Sequence, residues 1–198
     1  MGTIKTTNIE PIADNGTITL GSSGDTFTVP SGVTVNMSSA TQTGVGGANT
    51  PAFEAYLGGS GGQAVSDNTV TLVQANTEVY DTDSAYDTST YKFTPQTAGK
   101  YMVYGSIQNE SGANSNLAET YLYFKLNGSN IFETQNDYSA NPGRSDIING
   151  NIIVDMNGSS DYVELYGRIN SESGSGQLFE SNTQYKRATA FGAYKIIT

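Results

Sequence analysis

The chain has 198 residues, enough for one β domain of ordinary size with roughly fifty residues left over. Nine basic residues against nineteen acidic ones leave a net charge of −10, which repels phosphate backbones and anionic lipid and argues against nucleic-acid and membrane partners. No histidine and no cysteine occur, so disulfides, thiolate metal sites and every Ser-His or Cys-His arrangement are excluded.

With 23 glycines, abundant Thr, Ser and Asn and only 14% charged residues, the chain lacks the Ala, Glu, Lys and Leu that long helices need. It reads as all-β. The opening MGTIKTTNIEPIAD has no basic segment followed by an apolar run, and no long apolar stretch comes later, so neither a secretory leader nor a membrane span is expected. Short alternating runs follow at 17–20, 26–29 and 33–37, separated by GSSGD and PSG at a spacing of about eight residues. Such strands are too short to fold alone. They read as an arm that buries its apolar face against neighbouring rungs or chains. The Gly/Thr/Asn-rich stretch TQTGVGGANT marks a boundary near Ala48, with residues 1–48 as arm and 49–198 as a second domain.

Beyond the boundary, alternation predicts strands at 52–57, 69–79, 86–93, 99–108, 120–126, 129–133, 146–156, 161–169 and 188–197. Asn127-Gly128 and Asn157-Gly158 lie between apolar runs and predict two tight hairpins, because both central residues of a type I′ turn need positive φ. The stretches GGSGG at 58–62 and SESGSG at 171–176 carry no apolar side chain and read as loops that are mobile or meet a partner.

Several segments together resemble the C1q-like globular head, a member of the tumour-necrosis-factor-like jelly-roll superfamily. They are PAFEAYL from Pro51, TEVYDT from Thr77, YDTST from Tyr86, FTPQTAGKY from Phe93 and FGAYKI from Phe191. The resemblance implies an all-β jelly-roll sandwich and a homotrimer in which aromatic-rich strands pack around a three-fold axis. No Gly-X-Y stalk precedes the head. Instead IEPIADNGTITL, residues 9–20, looks like the openings of structural proteins of marine tailed phages. The two resemblances imply a virion protein, assembled in the host cytoplasm, with an arm over residues 1–48 that meets other virion proteins and a trimeric knob. As a tail-fibre component the knob would bind a host surface glycan or protein. Capsid decoration through the arm is one alternative, and a secreted lectin-like or carbohydrate-active protein is another.

Individual residues sharpen these expectations. Asp81, Asp83 and Asp87 are spaced as calcium ligands could be, but they lack the glycine and bidentate Glu of a calcium loop and read as turn residues. Calcium there or on the trimer axis stays open. Acidic pairs such as Asp161 with Glu164, or Glu133 with Asp137, are common in any acidic protein; without histidine or tryptophan they do not make an enzyme, and no cofactor is expected. The 13 tyrosines join a large apolar face to a polar tip. Period-2 placement assigns Phe53, Tyr91, Phe93, Tyr101, Val103, Phe191 and Tyr194 to core or trimer packing. Tyr80, Tyr86 and Tyr138, beside loop residues, read as outward contacts.

Overall fold

The computed structural model describes residues 19, 22–35, 49–174, 176–181 and 187–196. The chain divides into two units, Met1–Val45 and Gly46–Thr198. Most of the predicted arm lies outside the described residues. Within 22–35 the expected run 26–29 and the start of 33–37 are irregular rather than strand, and every residue there is exposed. Among the described residues these runs have no partner strand, and an alternating run without one leaves its ladder groups unpaired.

The described residues of the second unit form thirteen strands: β1 (Ala52–Tyr56), β2 (Gln63–Ala64), β3 (Thr71–Leu72), β4 (Thr77–Asp81), β5 (Tyr86–Asp87), β6 (Lys92–Phe93), β7 (Gly99–Glu110), β8 (Leu117–Leu126), β9 (Ser129–Asp137), β10 (Ser145–Met156), β11 (Val163–Ser171), β12 (Leu178–Phe179) and β13 (Ala190–Lys195). They form two antiparallel sheets. In the first, β7 is flanked along its whole length by β10 and on its other edge by β13 and β12; β1 and β4 continue beyond β13, and β2 pairs β12. In the second the order is β5-β6-β11-β8-β9, with β3 also against β11. The sheets close face to face as a jelly-roll sandwich.

The interior follows the period of two. On β7, Tyr101, Val103 and Ile107 are fully buried, and so are Phe53 of β1, Phe93 of β6 and Phe124 of β8. Phe53 ties the sheets together. Its ring stacks on Tyr86 and Phe93 of the second sheet at 4.4 and 4.7 Å and meets Phe191 of its own sheet edge-on at 5.0 Å. Aromatic pairs of this geometry add to the area they bury.

Four local expectations are corrected. The strand expected over 69–79 is two pieces, β3 in the second sheet and β4 in the first, because the chain crosses from one layer to the other between them. The strand expected over 86–93 is β5 and β6 joined by a tight turn in which the Tyr91 N–H donates to the Asp87 carbonyl at 2.6 Å. Tyr91 sits in that turn at φ 60° and is half-buried, not a core residue. Asn127-Gly128 makes the predicted hairpin between β8 and β9, with φ of 51° and 80°. Asn157-Gly158 does not, since β10 and β11 belong to different sheets; Asn157 Oδ1 instead accepts the amides of Ser159, Ser160 and Asp161.

Phe53→Ala is expected to lower unfolding free energy by about 3–5 kcal/mol, since it removes the ring that three others pack on. Urea denaturation followed by tyrosine fluorescence measures it, and a loss under about 1 kcal/mol would show that the sheets are held elsewhere.

Candidate functional site

The same alternation that buries Tyr101 and Val103 turns Met102, Tyr104, Ser106 and Gln108 to the outer face of the first sheet. Register extends this face sideways. Met102 lies between Ile153 of β10 and Tyr194 of β13, and Tyr104 between Asn151 and Gly192. Glu54 of β1 follows beside Gly192, and Tyr80 of β4 beside Glu54. Ile153 is 53% exposed, Ile147 and Tyr80 are also exposed, and Met102, Tyr104 and Tyr194 are half-buried.

Tyr104 is the centre of the face. Its ring lies across Gly192, where a Cβ would fall 2.8 Å from Cε2, so only glycine leaves room for it. The hydroxyl donates to Glu54 Oε2 at 3.1 Å, and Glu54 Oε1 takes Arg187 Nη1 at 2.7 Å. Burial first, then the neighbouring Tyr80 and Glu54, hold the hydroxyl protonated well above the ordinary tyrosine range. A shallow depression of about 370 Å³ lies over this group, lined by Tyr104, Ser106, Asn149, Asn151 and the Glu54–Arg187 pair. Further along β7, Gln108 lines a separate depression with Ser145, Asp146 and Ile147; it is 8% exposed, and among the described residues its Oε1 accepts no hydrogen bond. An acceptor left unpaired at such burial costs about 1–3 kcal/mol.

The outer face of the second sheet is the contrast. Tyr121 and Tyr123 stack in parallel there at 6.0 Å, yet they are only 7% and 4% exposed. Arg168 stands 3.8 Å over the Tyr121 ring, Lys125 4.0 Å over Tyr166 and Lys92 4.0 Å over Tyr162. The chain covers these aromatics with its own cations. Among the described residues the aromatic and aliphatic groups of the first sheet have no such cover.

The residues singled out from sequence separate accordingly. Phe53, Phe93, Tyr101, Val103 and Phe191 fill the single-chain interior, and Tyr194 stands on the open face, 6.5 Å from Tyr104. Of the three tyrosines expected to point outward, Tyr80 is exposed on the open face. Tyr86 is a correction: it is buried against Phe53 and donates to the Ala75 carbonyl at 2.8 Å. Tyr138 is another, half-buried and donating to Asp146 Oδ1 at 2.9 Å, where Thr120 and Asn136 also bind Asp146. Met102, Tyr104 and Ile153 were missed. The runs Tyr101–Tyr104 and Ile152–Val154 are large in both phases, which marks a strand covered on both faces.

The acidic residues serve local structure. Asp81 accepts the amides of Ala85 and Tyr86 at 3.1 and 2.9 Å, Asp83 the Thr82 hydroxyl at 2.8 Å, and Asp87 the Ser89 amide and hydroxyl and the Thr90 hydroxyl. Among the described residues no group of three or more acidic side chains is placed to hold a metal ion. The loop from Ser171 is tethered rather than free: Ser171 gives its amide and hydroxyl to Asp67, and Ser173 gives its amide to Asn116.

No family model matches the chain, and no curated protein matches it. Solved structures do. The globular domain of zebrafish complement 1qA is 13% identical with a TM-score of 0.53, covering 74% of this chain and 96% of that one. Murine APRIL is 10% identical with a TM-score of 0.50, covering 73% and 98%. The fold is therefore the C1q/TNF-like jelly roll.

Acid should weaken the second unit through its turn carboxylates. The Ser89 hydroxyl first, then its amide and the Thr90 hydroxyl, hold Asp87 down to about 2, and Ser139 lowers Asp137 in the same way. A depressed folded value adds stability that is present above the unfolded value near pH 4 and is lost as pH falls through about 2. Urea midpoints measured between pH 5 and about 2 should therefore fall less steeply in Asp87→Asn than in the parent. Parallel curves would show that Asp87 is unperturbed.

Proposed function

We propose that the protein is a non-enzymatic structural component of a tailed-phage particle, a homotrimeric knob on a tail fibre that adsorbs to the host surface. The carrying observation is the difference between the two outer faces. The second sheet places Lys92, Lys125 and Arg168 over its tyrosines, while the first has no described cation over Met102, Tyr104, Ile153 and Tyr194. Three copies meeting through that face bury the aliphatic and aromatic row and bring donors to Gln108. The second sheet and the loop ends then point away from the axis, where they meet a glycan or protein of the host. Residues 1–48 join the knob to other virion proteins, and assembly takes place in the host cytoplasm. The phage setting rests on the sequence texture of residues 9–20. A second reading is decoration of the capsid with the arm docked on the shell.

Native mass spectrometry of the full chain should give a trimer. Ile153→Lys combined with Met102→Lys should release a folded monomer, weakening association by at least about a hundredfold, because unpaired charges would be buried. A monomeric parent, or a double variant that remains trimeric, would dismiss this face. Antibody-gold labelling of particles then separates the readings: label at the tail supports adsorption, label over the head supports decoration, and unlabelled particles reject both.

A further inference from the structure

The first unit carries an apolar row of its own. Its described segment has two turns of the same design. At Ser22–Asp25 the Asp25 amide donates to the Ser22 carbonyl at 3.0 Å, and Asp25 Oδ2 accepts the Ser22 amide at 2.7 Å. At Pro30–Val33 the Val33 amide donates to the Pro30 carbonyl at 3.2 Å. Gly24 and Gly32 take the left-handed position in each, at φ 93° and 85°. The turns punctuate an eight-residue repeat, SSGDTFTV followed by PSGVTV, in which Ser-Gly, Thr and a large apolar residue recur in phase. Phe27, Val29, Val33 and Val35 are 69%, 38%, 58% and 52% exposed. Paired as strands, residues two apart would share a side, so that Phe27 would join Val29 and Val33 would join Val35.

We propose that this repeat is a self-pairing stalk, in which residues 26–35 of each copy are covered by the same residues of the other copies. The inference rests on the trimer proposed above. Charge selects the occupant. Asp25 is the single charged residue of 22–35, and its carboxylate is held by the Ser22 amide and hydroxyl. The segment therefore has nothing to attract a partner of opposite charge, and it meets an identical copy without the repulsion expected of a chain at −10. Period selects the same occupant, because a second copy repeats the turn-to-turn spacing and matches every rung, and units of this size bury an apolar side only against neighbours. Thr, Val and Phe at the contact positions suit pairing as strands.

The chain contains no cysteine, so single-cysteine variants of the full chain report proximity directly. Val29→Cys and Val70→Cys replace valines of nearly equal exposure, 38% and 40%, one in the repeat and one in the second unit. A disulfide requires Cα atoms within about 7 Å, so Val29→Cys should give at least about tenfold more interchain disulfide than Val70→Cys under mild oxidant. Native mass of each reduced variant is measured first. Trimers with equal disulfide yields overturn the stalk and leave the trimer standing, whereas monomers overturn both. Phe27→Asp added to Val29→Cys should bring the yield down to the control; an unchanged yield would show that the apolar row is not the pairing surface.

Discussion

Strand β7 is the constraint on which the second unit depends. It is hydrogen-bonded on both edges, to β10 over twelve consecutive residue pairs and to β13 and β12 on the other side. Its alternate residues build the core, and the remaining ones build the outer face. A slip of one residue would put Met102 and Tyr104 where Tyr101 and Val103 pack, and would invert both at once. Several contacts oppose that slip. Tyr104 fits across Gly192 only in this register, and Tyr101 gives its hydroxyl to the Thr97 carbonyl at 2.6 Å.

Ion pairing shapes the outer face of the first sheet in this acidic chain. Strands of the first sheet make three ion pairs: Glu54 holds Arg187, Glu110 holds Arg144 and Asp155 holds Lys100, each at 2.7 Å. Each such pair adds little stability where it is exposed. Its effect is to leave Met102, Tyr104, Asn149, Asn151 and Ile153 in a locally balanced field. Three more cations are committed to the tyrosines of the second sheet. Among the described residues this division places cations over the tyrosines of one outer face and none over those of the other.

What the sequence could show was set by the range of each interaction. The alternation of β7 and the Asn127-Gly128 hairpin are local, and both were legible. The crossings between sheets were not. Residues 69–79 read as one strand because nothing local says that Ala75 and Asn76 bridge two layers. Tyr86 read as a surface residue because its partners, Phe53 and the Ala75 carbonyl, are brought to it by the fold rather than by its neighbours in sequence. The uncovered face was half legible: large residues in both phases of β7 announce two covered sides without saying what covers the second.

Likeness to solved jelly rolls at 13% and 10% identity, with no match among family models, follows from what this sandwich requires. Alternation, turn chemistry and summed core volume determine it, and many residue combinations satisfy them. Phe53, Tyr86, Phe93 and Phe191 are one such solution. Outer faces are under no such common demand, because the sandwich closes whether a strand shows lysine or isoleucine to solvent. The particular chemistry of a jelly roll therefore resides in its outward phase. Here that phase is an aromatic row joined to neutralised charges on the first sheet and a cation-covered tyrosine layer on the second. The two outward phases of one sandwich thus differ in chemistry while they share a single core.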